Sequence, residues 1–246
     1  IGKIPIMLQS SLCLLHNYKH INNDITGECH YDPGGYFIIN GSEKTVLGQE
    51  RAAENRVQVF NISKNNTKWE FMAEIKSVPS FKCISPKQLT MYMSDKNSDY
   101  TIYLSIPRVK KPIPLFIVFR ALGIISDKDI CKKIVLDIKD EVNVNILKKL
   151  TGSITEASTC ITSEDAVKYI TSYVMFTPIN MDKENGAIKK KEFALEVINN
   201  DLFPHCRTKT EKIYFLGYMA KKLIKTSDGL LPLDDRDNYI NKRTKK

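Results

Sequence analysis

The stretch GGYFIINGSEKT, residues 34–45, combines glycines with a Lys-Thr pair and so resembles a phosphate-binding loop. Such a loop needs the spacing G-x-x-x-x-G-K-[ST], because consecutive backbone N–H groups surround the phosphates and the lysine follows the last glycine. Here Ser42 and Glu43 separate Gly41 from Lys44, and the glutamate would place a negative charge beside the phosphates. A nucleotide site is therefore the weaker of two hypotheses for this stretch.

The other hypothesis is a β-hairpin. Residues 36–39 form a β-favouring run, and residues 44–47 can return as its partner strand. Asn40 and Gly41 form the dipeptide preferred in tight turns where both central residues have positive φ. We expect a hairpin here.

Cysteines and histidines near the start of the chain could be drawn as a zinc site, namely Cys13, His16, His20, Cys29 and His30. Cys13 and His16 have the spacing of a ligand pair, but adjacent side chains such as Cys29 and His30 diverge and rarely bind one ion together. Ordinary thiols and histidines are the favoured alternative. All six cysteines are widely spaced without a C-x-x-C motif, which predicts free thiols in a reducing compartment.

The acidic run DDRD, residues 234–237, offers carboxylates that a magnesium ion could use. Its spacing lacks the glycine and final glutamate of a calcium loop, and Arg236 supplies a counter-charge within it. A salt-bridged loop that holds Lys242 and Arg243 is the favoured alternative. The sequence contains no G-x-S-x-G, H-E-x-x-H or G-x-G-x-x-G motif, so we predict no independent active site and no catalytic or metal-binding residue.

The net charge of +9 is unevenly distributed. Residues 187–246 carry 14 Lys/Arg against 8 Asp/Glu, which favours an acidic partner, with nucleic acid the leading candidate. For any single lysine, a solvated helix surface is the alternative. The longest apolar run, residues 113–125, is interrupted by proline, arginine and glycine, so we expect no membrane association.

The first part of the chain reads as β-rich, with strands predicted at residues 56–60, 69–75, 89–93 and 100–106 and a hairpin loop at 94–98. From residue 112 helices predominate. They are predicted at residues 113–122, 126–136, 142–150, 163–170, 192–202 and 209–225, with a capping box at 126–129 and a polar loop at 180–186. The fold class is α+β: a β-rich segment, then a mostly helical domain with an inserted antiparallel strand pair.

The helix at residues 209–225 has the clearest periodicity. Its apolar face comprises Ile213, Leu216, Gly217, Ala220, Leu223 and Ile224. Lys212, Lys221, Lys222 and Lys225 lie off that face, which predicts a core helix with a basic outer side. Periodicity does not decide whether that side contacts DNA or water.

Several motifs together resemble the second-largest subunit of multisubunit DNA-directed RNA polymerases. They occur in family order and are IGKIPIM (1–7), ECHYDPGGYFIINGSEK (28–44), QER (49–51), IPLFIVFRALG (113–123), FPH (203–205), FLGYM (215–219), DDRD (234–237) and NKR (241–243). They span nearly the whole chain and are similar to the eukaryotic polymerase II type, with a large DNA virus as a possible source. Because the chain opens on Ile1 rather than methionine, we expect a fragment.

The resemblance implies a division into a protrusion segment (1–73), a lobe (74–233) and a return into the protrusion (234–246). In the family these parts form one wall of the DNA cleft. The catalytic Mg²⁺ is held by other segments of the complete polymerase, so no cofactor is expected in this stretch.

The implied partners are DNA, the largest and smaller polymerase subunits, and initiation and elongation factors. The implied location is intracellular, in the nucleus, or in the cytoplasm or virion for a viral source. We predict that Lys44, Arg51, Arg236, Lys242 and Arg243 face nucleic acid or support residues that do, through phosphate contacts that position DNA without reading its sequence. The alternative is a protein-interaction surface on the lobe that includes Lys189, Lys190 and Lys191.

Overall fold

A computed structural model of the 246-residue chain describes residues 2–18, 23–62, 68–96, 99–138, 140, 143–176 and 183–245. The chain divides into two compact units. The smaller unit comprises Ile1–Arg51 and Arg243–Lys246, and the larger unit comprises Ala52–Lys242. The boundary predicted at residues 73/74 falls instead inside a strand of the larger unit. The names protrusion and lobe rest on the resemblance and stay predictions.

The smaller unit contains two short helices and two small pairs of strands. Its elements are α1 (Leu14–Asn17), α2 (Asn23–Thr26), β1 (Phe37–Ile39), β2 (Ser42–Lys44) and β3 (Gln49–Ala52), with β3 paired to β9 (Lys242–Lys245). None of the side chains described in this unit is fully buried. Hydrogen bonds hold it locally, since Asp32 accepts the Gly34 N–H and the Tyr36 hydroxyl at 2.8 and 2.6 Å.

The hairpin hypothesis for residues 34–45 is confirmed. Strands β1 and β2 are antiparallel, with Ile39 opposite Ser42. Asn40 and Gly41 between them have φ of 51° and 76°. Only a residue that tolerates positive φ fits this turn without strain, which explains why the sequence places asparagine and glycine there. The position predicted for the returning strand was wrong: it comprises Ser42–Lys44 and ends where the predicted strand, residues 44–47, would begin.

A five-stranded antiparallel sheet forms one layer of the larger unit, in the order β4-β5-β6-β7-β8. Its strands are β4 (Gln58–Asn61), β5 (Phe71–Ser77), β6 (Lys87–Lys96), β7 (Asp99–Ser105) and β8 (Ile113–Pro114). The predicted strand pair is β6 and β7, which stay paired as far as Lys96 opposite Asp99, so the hairpin loop is shorter than expected. The sheet also includes β4, β5 and β8, which contribute Val59, Ala73 and Ile113 to one buried core.

Helices cover one side of this sheet. They are α3 (Leu115–Ala121), α4 (Asp127–Val135), α5 (Val144–Glu156), α6 (Ser163–Tyr173), α7 (Lys183–Glu196) and α8 (Lys209–Ser227), with a π-helical turn at Val197–Asp201 after α7. The core joins β-strand residues such as Leu89 and Met91 to helix residues such as Phe116 and Leu216, all of them fully buried. The predicted α+β class is confirmed, since the chain combines antiparallel strands with a larger helical part.

Three predictions about helix ends were wrong. Ser126 makes no side-chain cap, whereas Thr162 and Thr208 do, accepting from the Asp165 and Glu211 N–H groups. The polar loop predicted at residues 180–186 is helical from Lys183 onward, and its earlier part lies outside the described residues. The helix predicted from residue 113 begins at Leu115, because residues 113–114 pair with β7 as β8.

Candidate nucleic-acid interface

Arg236 is the predicted contact residue that the structure defines best. It follows α8 in the loop at residues 234–237, and 64% of its side chain is exposed. One terminal nitrogen, Nη2, lies 3.6 Å from Oε1 of Glu74 on β5. The guanidinium carbon lies 4.7 Å from the ring centroid of Phe60 on β4. The Glu74 carboxylate and the Phe60 ring thus orient Arg236, while the guanidinium keeps further N–H donors for a phosphate.

The residues that precede Arg236 are attached to the edge strand β4. Asp234 N–H donates to the Val59 carbonyl and its Oδ2 accepts the Val59 N–H, both at 3.0 Å. The same Oδ2 accepts the Lys222 ammonium at 2.7 Å. Burial would raise the pKa of Asp234, but the hydrogen bonds from Lys222 and Val59 outweigh burial and lower it. Asp234 is therefore a charged anchor rather than a metal ligand left open to solvent.

The residues after Arg236 are attached at a second point. Asn241 is buried, its carbonyl accepts the Ala53 N–H at 2.8 Å, and its side-chain amide donates to the Asp235 carbonyl at 2.9 Å. Arg56 donates to the Ile240 carbonyl at 3.1 Å. We call residues 234–241 the return segment. It is a loop fixed to the larger unit at both ends, with Arg236 exposed near its start.

Lys242 is less available than Arg236. Its ammonium lies 3.9 Å from Oδ1 of Asp237, and 28% of its side chain is exposed. This contact confirms the salt-bridge hypothesis for the aspartate run as far as Lys242 is concerned. Within the described ranges, no group of three or more His, Cys, Asp or Glu residues is arranged to hold a metal ion. His20, one of the five residues of the zinc hypothesis, lies outside those ranges.

The remaining predicted contacts lie in the smaller unit and are exposed. Lys44 ends β2, opposite Phe37. Arg51 is on β3 and Arg243 is on its partner strand β9, so the structure brings these two arginines onto one two-stranded ladder. Both arginines are exposed, and arginine offers planar paired donors that suit phosphate oxygens.

The prediction of a basic outer side on α8 was wrong for three of its four lysines. Lys212 is buried and donates to the carbonyls of Ile198 and Asn199 at 3.2 and 2.5 Å, and burial lowers its pKa. Lys221 donates to the Val135 carbonyl at 2.9 Å. Lys222 contacts Asp234, as described above. The ammonium groups of these lysines donate hydrogen bonds to carbonyl and carboxylate oxygens of neighbouring elements. The periodicity of α8 alone therefore assigned them wrongly to an exposed surface.

One pair with a catalytic appearance proves to be structural. Ser77 Oγ lies 2.7 Å from Nδ1 of His205, but Ser77 is fully buried and no substrate can reach it. Ser77 Oγ also accepts the His205 backbone N–H at 3.3 Å, so two hydrogen bonds join these residues. The ring lies edge-on to Phe215, with centroids 4.5 Å apart, and burial lowers the pKa of His205.

The six cysteines are free. Cys131, Cys160 and Cys206 are buried, and burial raises the pKa of the Cys131 and Cys206 thiols to about 11, which disfavours thiolate chemistry. Over the part of the chain that the structure describes, no helix is long and apolar enough to cross a membrane.

The supporting residues were missed at the sequence level. Glu74 and Phe60 orient Arg236, and Lys222 and Asp234 anchor its loop, yet Lys222 is separated from Val57 by 165 residues. The sequence signal for this loop was the acidic run at residues 234–237, because an arginine among aspartates suggests a loop held by its own ion pairs.

Comparison with known proteins adds the family. The family model described as RNA polymerase Rpb2, domain 2, matches residues 53–245. DNA-directed RNA polymerase II subunit RPB2 of Encephalitozoon cuniculi (strain GB-M1) is 37% identical over 246 residues, which cover 98% of this chain and 20% of that protein. The subunit RPB2 of Schizosaccharomyces pombe is 36% identical over 250 residues, covering 99% of this chain and 20% of that protein.

The match extends to archaea. DNA-directed RNA polymerase subunit Rpo2 of Saccharolobus solfataricus is 34% identical over 247 residues, covering 99% of this chain and 20% of that protein. The chain thus spans about a fifth of the length of the curated relatives it matches. The predicted resemblance is confirmed, and the chain belongs to the RNA polymerase Rpb2 family of second-largest polymerase subunits.

Proposed function

We propose that this chain forms part of the wall of the DNA cleft in a DNA-directed RNA polymerase and guides duplex DNA during RNA synthesis. In this proposal nucleotidyl transfer takes place elsewhere in the complex, with Mg²⁺ bound by other segments. Residues 1–73 and 234–246 belong to the protrusion, and residues 74–233 form the lobe. The partners are DNA, the other polymerase subunits, and initiation and elongation factors, in the nucleus, or in the cytoplasm or virion for a viral source.

The observation that carries the proposal is the exposed guanidinium of Arg236, oriented by Glu74 and Phe60 at the surface of a protein with net charge +9. Lys44, Arg51 and Arg243 add exposed cations in the smaller unit, and Lys242 adds a partly compensated one. These groups suit phosphate oxygens, which position a duplex without specifying its sequence. A wall along which DNA translocates needs that kind of contact.

Salt-dependent binding of a labelled duplex to the 246-residue chain tests the proposal. Because each neutralised phosphate releases counterions, we expect log Kd to change with log salt by about 0.9 per contact. Arg236→Gln should reduce the slope by about one contact, and joint Arg51→Gln and Arg243→Gln changes should reduce it by about two. Two duplexes of unrelated sequence should bind equally well.

Lys168→Gln is the matched control, since Lys168 is an exposed lysine on α6 whose ion pair with Asp165 is 3.7 Å long. It should leave the slope unchanged. Affinity that is the same at low and high salt for the unaltered chain, or an equal loss with Lys168→Gln, would refute phosphate contacts at the named residues.

A second function, docking of a protein partner, has its own supporting observation. Ile125, Leu136 and Tyr214 are exposed apolar side chains of the larger unit, and together they line a groove of about 680 Å³ beside α4 and α8. Exposed apolar side chains gathered in one groove are typical of protein-interaction sites. Lys189, Lys190 and Lys191 on α7 are the charged residues assigned to this alternative, and Lys189 and Lys191 are exposed while Lys190 is half-buried.

Leu136→Asn tests the docking function, because it replaces an exposed apolar side chain of the groove with a polar one of similar size. We expect this change to weaken the binding of small polymerase subunits or initiation factors and to leave duplex affinity unaltered. Charge reversal at Lys189 and Lys191 tests the lysines in the same way. A loss of duplex binding with unchanged partner binding would contradict the docking function.

A further inference from the structure

Lys222 connects three separate elements of the larger unit. It lies on α8, only 18% of its side chain is exposed, and its ammonium donates to Oδ2 of Asp234 at 2.7 Å. The same ammonium donates to the Val57 carbonyl, just before β4, also at 2.7 Å. Asp234 in turn exchanges two hydrogen bonds with Val59 of β4. One lysine therefore fastens the start of the return segment to both a helix and a strand edge.

This attachment determines where Arg236 lies. Arg236 is two residues beyond Asp234, and its ion pair with Glu74 and its contact with Phe60 both reach the sheet to which Asp234 is fastened. At its other end the return segment is held through Asn241. With both ends fixed, the backbone of the loop has little freedom, so binding of a phosphate by Arg236 costs less conformational entropy than it would from a loose loop.

We propose that Lys222 is a positioning residue for the nucleic-acid contact of Arg236, acting through Asp234, and that Lys222 does not itself contact nucleic acid. The proposal rests on the function proposed above and deepens it. The proposal also gives Lys222 a new role, because the periodicity of α8 had predicted this residue on an outer basic surface. Two of the three N–H donors of the ammonium are used by Val57 and Asp234, and only 18% of the side chain is exposed, so Lys222 has little left to offer a phosphate.

A double-mutant cycle distinguishes positioning from direct contact. Duplex affinity is measured by fluorescence anisotropy for Lys222→Met, Arg236→Gln and the combination in the full 246-residue chain. We expect each single change to weaken binding roughly tenfold, since a charge-assisted hydrogen bond of Arg236 is lost or misdirected. The double variant should bind no more weakly than Arg236→Gln alone, because Lys222 acts only through Arg236.

Lys225→Met is the matched control, one turn further along α8, and should leave affinity unchanged. Lys222→Arg should restore part of the affinity lost in Lys222→Met, because it keeps a charged donor for Asp234. Asp234→Asn is a second route to the same loosening if Lys222→Met fails to fold, since asparagine keeps the size and one acceptor. Amide hydrogen exchange of the Val59 N–H reports the attachment directly and should accelerate in both variants.

The outcomes separate the two proposals. Additive losses in the cycle would show that Lys222 touches DNA itself and would overturn the positioning role. The positioning role would also be overturned if Lys222→Met keeps full duplex affinity while hydrogen exchange of the Val59 N–H is accelerated. The return segment would then bind DNA equally well when it is detached from β4. If Arg236→Gln alone has no effect while the unaltered chain still shows a steep salt slope, the positioning role fails but the wall function survives through other cations. A flat salt slope in the unaltered chain would defeat the wall function itself.

Discussion

Helix α8 approaches α4 closely at Gly217, and Gly217→Ala should destabilise the larger unit. A β-carbon at this position would lie 3.0 Å from the Lys133 carbonyl carbon and closer still to its oxygen, whereas ordinary contacts are 3.4–4 Å. The carbonyl carbon alone would have to move away by 0.4 Å, the difference between 3.0 and 3.4 Å, and the oxygen, which lies closer, by more. The obstacle is backbone, which cannot swing aside as the end of a flexible side chain would.

The magnitude follows from two opposing contributions. Overpacking of a core costs about 1–3 kcal/mol, and the upper end applies here because the clash is with a helix carbonyl. Replacing glycine by alanine inside a helix contributes about 1 kcal/mol in the favourable direction. The net loss of unfolding free energy is therefore about 2 kcal/mol. For a unit of this size such a loss lowers Tm by about 4–8 °C.

Urea and thermal unfolding followed by circular dichroism measure this loss. Thr210→Ala, at an exposed position of the same helix, is the control for helix propensity and should stabilise by up to about 0.5 kcal/mol. If Gly217→Ala raises stability by about 1 kcal/mol, as alanine does at an unobstructed helix position, the close approach of α4 and α8 is refuted.

Two further predictions concern buried polar groups. Arg120 is buried and donates to the Ala157 and Cys160 carbonyls at 2.6 and 2.5 Å and to Asp127 at 2.6 Å. Arg120→Met should cost about 2–3 kcal/mol in urea unfolding, because hydrogen bonds from a charged donor are lost, whereas Asp127 is 40% exposed and is not left as a buried charge. Lys132→Met removes an exposed ion pair with Asp129 and should cost under about 0.5 kcal/mol, and similar losses for both would contradict the buried role. Burial lowers the pKa of His205 below its ordinary value of 6.5. The unfolded chain therefore binds more protons just below pH 6.5, so stability should fall as the pH drops below 6.5 and level off below the folded-state pKa. His205→Gln should remove this part of the pH dependence in urea titrations between about pH 5 and 7.5, and an unchanged profile would show that the buried ring does not contribute.

Local features were predicted from the sequence because their causes lie within a few residues. The Asn40-Gly41 turn follows from the steric rule for positive φ, and the structure has that conformation at both positions. The apolar face of α8 follows from the 3.6-residue period, and Leu216, Ala220 and Leu223 are fully buried as expected. The family could likewise be recognised from motifs and their order along the chain, and the match to the family model confirms that recognition.

The candidate interface was predicted in part. Residue type identified Arg236 and Lys242 as cations beside an acidic run, but not that Lys242 pairs with Asp237 and that Arg236 rests on Phe60. The extent of the sheet was also underestimated, since β4 and β5 belong with β6 and β7. Strand order depends on pairing between distant segments, which no local pattern encodes.

What the sequence determined alone is therefore the set of local conformations, the basic character of the chain and its family. What only the tertiary structure decided is which cations remain available, as Lys212 and Lys222 show. The 3.6-residue period separates one buried face from one exposed face, as in a helix that packs against a single neighbour. Helix α8 instead packs against α4, α5 and strands β4 to β6, so most of its circumference is enclosed. A lysine enclosed in this way must find acceptors, because an unpaired buried charge is costly, and those acceptors come from residues as far along the chain as Val57.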